Sequence, residues 1–329
     1  MKKVFFVAFV LLIVMGFAAC SNKQVPVSTV NLQLQNTVDS LLKQGMGEYG
    51  ATEGMAIVVE TSTGNLRAMV GLKENSGKLV SDTTLFSKAR ETFLFRSASL
   101  LAALETGNVS LDDMFDTYAG IDVVGQDTIY DHNWRKGGYG ELTLLQGLAY
   151  NSSIAIDKAV DVAYQDKDVF LQKLEQMGLE KDSTFKGSWP LYALGFHHIK
   201  PVNFVSFFNA IANGGKMVSL KSQDSSAIVV DSMIAEKKNI ESMKKAFRFY
   251  VTNGLGKKAE SKMVNVAGTS GSIHTDDGIY ADFCGYFPVE KPKYTVFVSY
   301  KRPEIPVSGG GMAGQTFRKI AEQIMKTCK

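Results

Sequence analysis

Histidine and cysteine are scarce in this chain of 329 residues, which has four of the first and three of the second. The histidines, His132, His197, His198 and His274, are scattered, and the adjacent pair is poorly spaced for one ion. With no paired cysteines and no helix-borne histidine–glutamate motif, the sequence offers no metal site of the zinc type. It also lacks a phosphate-cradling loop. Gly309, Gly310 and Gly311 are not followed by lysine and read as a turn, so no cofactor is expected. A net charge of only +3, with no arginine-rich stripe, argues against a nucleic-acid partner. Repeats and low-complexity stretches are absent as well.

What is present begins at the N-terminus. Lys2 and Lys3 precede an apolar run, Val4 to Ala18, too short to span a bilayer comfortably and typical of a signal-peptide core. The run ends in Phe17-Ala18-Ala19-Cys20, which resembles a bacterial lipobox with Phe17 in place of the usual leucine. The resemblance implies cleavage before Cys20 and acylation of that residue, and more than one acyl chain makes a stable anchor. The expected organisation is a signal peptide at 1–19, a lipid-anchored tether at 20–28 and one domain at 29–329. The expected location is a bacterial membrane, facing the periplasm, because no acidic residues follow Cys20 directly. Cys284 and Cys328 could pair in an oxidising compartment, but a buried thiol and a loose terminal one are the simpler expectation.

At 45% hydrophobic and 21% charged residues, the remaining chain can bury a sizeable core. Leu32, Val38, Leu41 and Leu42 recur at helical spacing. Met55 to Glu60 and Leu66 to Val70, joined through Thr63-Gly64, read as a hairpin. From Thr84 to Gly214 the segments read mostly as helices, among them Leu144 to Val162, Val169 to Met177 and Val202 to Ala212. Ser242 to Val251 reads as another. Met263 to Ala267, Ile279 to Tyr286 and Tyr294 to Tyr300 read as strands before a C-terminal helix over Gln315 to Met325. Strands at both ends around a helical middle predict an α/β (α+β) fold: an antiparallel sheet flanked by helices, with an inserted and mostly helical subdomain.

Five short stretches, taken in order, resemble the transpeptidase domain of penicillin-binding proteins. They are the hairpin Glu53 to Val70, Leu101 to Gly107, Thr143 to Ser153, the run Ala210 to Gly215, and Ala267 to Ser272 followed by Phe283 to Pro288. The resemblance implies acyl transfer from a D-Ala-D-Ala peptide through a serine ester, with a serine and a lysine three residues apart on one helix face. A second motif, serine and asparagine two apart, relays a proton. A third, lysine then threonine or serine then glycine, lies on an edge strand that pairs with the peptide.

All three motifs are rewritten here. Counting back from Leu101 to Glu105, the nucleophile position falls on Phe93 and the lysine position on Arg96. Phe93 has no nucleophilic atom, and arginine stays protonated and cannot act as the base. At the second motif stand Asn151, Ser152 and Ser153, the functional types exchanged. At the third, Thr269 replaces the lysine while Ser270 and Gly271 remain, followed by Ser272. No catalytic residue is therefore expected, and Ser152, Ser153, Ser270, Gly271 and Ser272 are the candidate ligand-binding positions. Trp134, Tyr139, Phe196 and Tyr280 are candidate groove-lining aromatics.

The expected function is that of a pseudoenzyme binding a peptidoglycan stem peptide or a cell-wall synthesis protein. The rivals are a divergent transpeptidase, carboxypeptidase or hydrolase with a relocated nucleophile, and a purely protein-binding accessory subunit. Thr92, Ser97 and Ser183 are the candidate relocated nucleophiles. Ser183 and Lys186 do have the spacing of serine and base, but so do Ser40 with Lys43 and Ser242 with Lys245.

Overall fold

The computed structural model describes residues 28–327. The signal segment, Cys20, nearly all of the expected tether and Cys328 lie outside the described residues. Among residues 28–327, no helix is long and apolar enough to cross a membrane.

Helix α1 (Leu32–Tyr49) leads into strands β1 (Glu53–Glu60), β2 (Leu66–Asn75) and β3 (Lys78–Ser81). The middle of the chain carries α2 (Arg96–Glu105), four short strands β4 (Met114–Asp116), β5 (Ile121–Val124), β6 (Asp127–Tyr130) and β7 (Glu141–Thr143), then α3 (Leu144–Ala149) and α4 (Ser153–Ala163). It continues with α5 (Lys167–Gln176), α6 (Trp189–Leu194), α7 (Pro201–Ala212), the short pair β8 (Met217–Val218) and β9 (Val229–Asp231), and α8 (Lys237–Thr252). Strands β10 (Ala267–Thr275), β11 (Gly278–Phe287) and β12 (Tyr294–Arg302) and helix α9 (Gly314–Thr327) complete it.

The two ends of the chain share one six-stranded sheet in the order β10-β11-β12-β1-β2-β3. Its pairs are antiparallel, with β1 lying between β12 and β2. Strand β1 shows why the sheet is central. Met55, Ile57 and Val59 face a core shared with α2, α4 and α7, while Ala56 and Val58 face a second core shared with α1 and α9. Side chains alternate along a strand, so a run apolar at every position buries both faces. Fully burying a valine or isoleucine stabilises by roughly 1.5–3 kcal/mol, so this strand alone is a large favourable term. Helix α1 crosses closely because Gly45 lies against the Tyr300 hydroxyl of β12, where any Cβ would collide.

Three expectations need correction. The stretch 144–162 is two helices, because Asn151 takes φ +54° and breaks the chain between α3 and α4. The first of the three terminal strands begins at Ala267 and not at Met263, and the segment before it is irregular. The helical middle also holds the strand pair β4–β7 and, between its strands, the hairpin β5–β6, all too short to carry a periodic signal.

Candidate functional site

Strand β10 is the outer strand of the sheet, and a cleft of about 370 Å³ lies beside it. Its walls come from far apart in sequence: Phe93 and Arg96, Tyr130 to His132 with Trp134, Asn151 and Ser153, Leu255, Ser270 and Ser272, and Val307 to Gly310.

The first wall is a single turn, Phe93–Phe95, running directly into α2. Thr92 caps it by accepting from the Leu94 N–H, and its own hydroxyl donates to Asp282 Oδ2 at 2.7 Å. Asp282 also holds Arg90 through two bonds of 2.9 and 2.7 Å, and Arg90 reaches Ser299 Oγ at 3.0 Å. Burial alone would lower the Arg90 pKa, yet Asp282 outweighs it and raises it. This buried clamp fastens residues 90–92 to β11 and β12 and so fixes where Phe93 points. Gly271 completes the placement. A Cβ there would stand 2.9 Å from Phe93 Cβ and 3.0 Å from Leu94 N, so only glycine lets β10 approach the turn. The positions read as motif one and motif three therefore meet in space.

Arg96, six residues after Arg90, sits in an opposite environment. It is 5% exposed, its guanidinium carbon lies 3.8 Å above the Phe93 ring, and Nη1 donates to the Asn151 carbonyl at 2.9 Å. No carboxylate pairs with it among the described residues, and its Nε is buried without an acceptor. Burial pushes its pKa down to about 10, with Asp131 and Tyr250 offsetting only part of the effect. It remains a cation at neutral pH and cannot accept a proton from a hydroxyl.

The second wall is the break between α3 and α4. Asn151 Nδ2 donates to the Tyr250 hydroxyl of α8 at 3.3 Å, and that hydroxyl bonds Ser270 Oγ on β10. Burial raises the Tyr250 pKa to about 12, so it is neutral. One chain of hydrogen bonds thus joins Arg96, Asn151, Tyr250 and Ser270, linking all three motif segments. Sequence reading missed Tyr250. It belongs to a helix seen only as an amphipathic stretch, and nothing local marks it as the link.

The other expected residues divide cleanly. Ser153 lines the cleft and its hydroxyl donates to the Tyr130 carbonyl at 3.2 Å. Ser272 lines it too, its Oγ accepting from the Gly309 N–H at 2.8 Å. Ser152 is fully buried off the wall, capping α4 and donating to Asp131 Oδ2 at 2.7 Å. Thr269 is buried on the other face of β10, so it brings no charge to the cleft. Asp131 is the one carboxylate on the described walls, and burial raises its pKa. His132, its pKa lowered by burial, bonds the Tyr139 hydroxyl at 3.1 Å.

Of the candidate aromatics, Trp134 lines the cleft and Tyr139 supports it through His132. Phe196 packs edge-on against Phe93 and lines a neighbouring cavity of about 510 Å³ that runs past His274 and Thr275 at the end of β10. Tyr280 is buried beneath Arg90 instead. The rival nucleophiles are elsewhere: Thr92 is bound to Asp282, Ser97 is buried with no partner, and Ser183 and Lys186 lie exposed in a loop. No group of three or more metal-ligating side chains gathers among the described residues.

An antiparallel sheet between helices, a helical insertion, and a cleft where the edge strand meets a helix start define a penicillin-recognising, β-lactamase-like fold. The penicillin binding protein transpeptidase domain matches residues 54–325. The chain belongs to that family. Solved structures agree on the fold. A peptidoglycan glycosyltransferase from Burkholderia ambifaria superposes with a TM-score of 0.79 at 18% identity, covering 92% of this chain and 98% of that one. The transpeptidase domain of penicillin-binding protein 3 from Burkholderia pseudomallei gives 0.78 at 18%, covering 93% and 97%. A D,D-transpeptidase domain from Legionella pneumophila gives 0.69 at 20%, covering 92% and 100%.

Proposed function

We propose that this chain is a pseudoenzyme of the transpeptidase family, exported and lipid-anchored through Cys20, that binds a peptidoglycan stem peptide without turning it over. The observation that carries the reading is the pairing of Phe93 with Arg96 at the helix start, pinned against Gly271. No lysine lines the cleft among the described residues, and the wall hydroxyls of Ser153, Ser270 and Ser272 are engaged with a carbonyl, a neutral tyrosine and a backbone N–H. Nucleophile and base act as a unit, and in a model serine hydrolase loss of either costs about a millionfold in turnover. The retained cleft beside an outer strand, continued by the cavity past Phe196, suits an extended peptide.

Purified protein incubated with fluorescent penicillin is expected to show no covalent adduct and no mass shift of the intact chain. A stoichiometric adduct would overturn the assignment and open a search by serine and threonine substitution. Titration with muropeptides separates peptide binding from a role purely as a protein-binding subunit, which predicts no binding even at millimolar ligand.

A further inference from the structure

The two buried arginines of this molecule differ in one respect that matters. Arg90 is fully matched by Asp282, Ser299 and a carbonyl. Arg96, equally buried, gives one hydrogen bond to a carbonyl and rests on an aromatic face, and it lines an open cleft. A guanidinium carries five N–H donors, and a buried charge without a counter-ion is costly. The same cleft is also lined by the start of a long helical segment, the wide turn Gly309–Ala313 continuing into α9. There the Gly309 N–H is taken by Ser272 Oγ and the Gly311 N–H by Ser308 Oγ, while the Gly310 N–H has no acceptor among the described residues. A helix start with a free N–H favours an anion. The one carboxylate on the wall, Asp131, does not fill the need. Its oxygens accept from Ser152 Oγ and the Ile154 N–H, and it forms no ion pair with Arg96.

We infer that the cleft is a carboxylate receptor, in which Arg96, standing at the position of the family's base, binds the ligand's anionic group together with the helix start at Gly310. The inference deepens the peptide-binding reading by naming the group recognised. The stem peptide carries such groups at its C-terminus and on acidic side chains. Ser270, beside Gly310 and tied to Tyr250, supplies a neutral hydroxyl at the same end of the cleft.

The test follows the Arg96 Nε–H in nitrogen–proton spectra of the full protein while acetate is added to high millimolar concentration. Calorimetry then compares a pentapeptide stem ending in D-Ala-D-Ala with the same peptide amidated at its C-terminus. The expected result is a saturable shift of the Arg96 resonance with acetate and weaker binding of the amide. Arg96→Met should weaken the free acid about tenfold or more, and Arg96→Lys should recover part of the loss. Circular dichroism on both variants checks folding, and the acetate titration needs no variant. If acetate leaves Arg96 unmoved, or the acid and amide bind alike to wild type and Arg96→Met, the carboxylate site is wrong although the cleft still binds peptide. If acetate moves Arg96 but no stem peptide binds, the anion site stands and the stem-peptide reading falls.

Discussion

At the scale of single residues, the chemistry of this protein is decided by what buried groups have for partners. His197 is fully buried, stacked on Tyr192 at 3.8 Å, with Nδ1 at 3.0 Å from the Tyr192 carbonyl and Nε2 without a partner. Burial lowers its pKa to about 4, against smaller upward pulls from Tyr192 and Asp182. Asp157 is a mirror case. Burial, then Asp161 on its own helix and Asp122 on β5, raise its pKa to about 7, and Lys158 only partly opposes them. The signs follow from linkage. The unfolded histidine takes up a proton below about pH 6.5 that the folded one refuses, so stability falls as pH drops from about 6.5 to 4. The folded aspartic acid keeps a proton that the unfolded one releases, so stability falls as pH rises from about 4 to 7. The two slopes oppose each other where they overlap. His197→Phe should therefore remove an acid-side loss of about 3 kcal/mol, and Asp157→Asn an alkaline-side loss of at most about 4 kcal/mol. Melting temperatures of each variant against wild type from pH 4 to 8 should diverge from it at opposite ends of the range. Parallel curves would show that these groups titrate normally.

At the scale of elements, much was legible and the failures have causes. Strand β1 was readable because both of its faces are buried, and the hairpin through Gly64 because the turn sits at a positive φ of 75°. Strand β3 was not, since Lys78 to Ser81 are exposed and carry no alternation of burial. The boundary between α3 and α4 was missed because the polar Asn151-Ser152-Ser153 was read as a motif and not as a helix start, although that break, with Asn151 left-handed, is what delivers the Asn151 carbonyl to Arg96. The residues read as motifs one and three, Phe93 and Gly271, do meet in space, while the Tyr250 bridge could come only from packing. Gly271 gives the element-scale prediction. Gly271→Val must displace either the Phe93 turn or strand β10, and overpacking of this kind costs about 1–3 kcal/mol. Denaturant unfolding should show the loss, and fluorescence-monitored peptide binding should weaken beyond what stability explains. An unchanged midpoint would mean that the turn and the strand are not held in contact.

At the scale of the whole molecule, the proposed departure from the family's chemistry is distributed and self-consistent. The first and last strands of the chain close one sheet, and the inserted helices bring Arg96, Asn151 and Tyr250 to its edge. Residues of all three motif segments have partners suited to them: the Phe93 ring lies under Arg96 and against Phe196, Asn151 bridges Arg96 to Tyr250, and Ser270 is held by Tyr250. Among the described residues, β10 contributes Ser270 and Ser272 to the cleft and no cation. Restoring two residues would return atoms without the surroundings that activate them. A serine at 93 vacates the ring that packs on Phe196, and a lysine at 96 would meet the Asn151 carbonyl, a hydrogen-bond acceptor that favours the protonated amine. The double variant Phe93→Ser with Arg96→Lys is therefore expected to fold yet remain unlabelled by penicillin in an intact-mass experiment. Adding Thr269→Lys would not help, because the side chain at 269 is buried on the other face of β10, and Asn151 still stands where a hydroxyl would relay the proton. Full labelling of the double variant would show that Phe93 and Arg96 alone separate this chain from acyl transfer and that the Tyr250 network plays no part in blocking it.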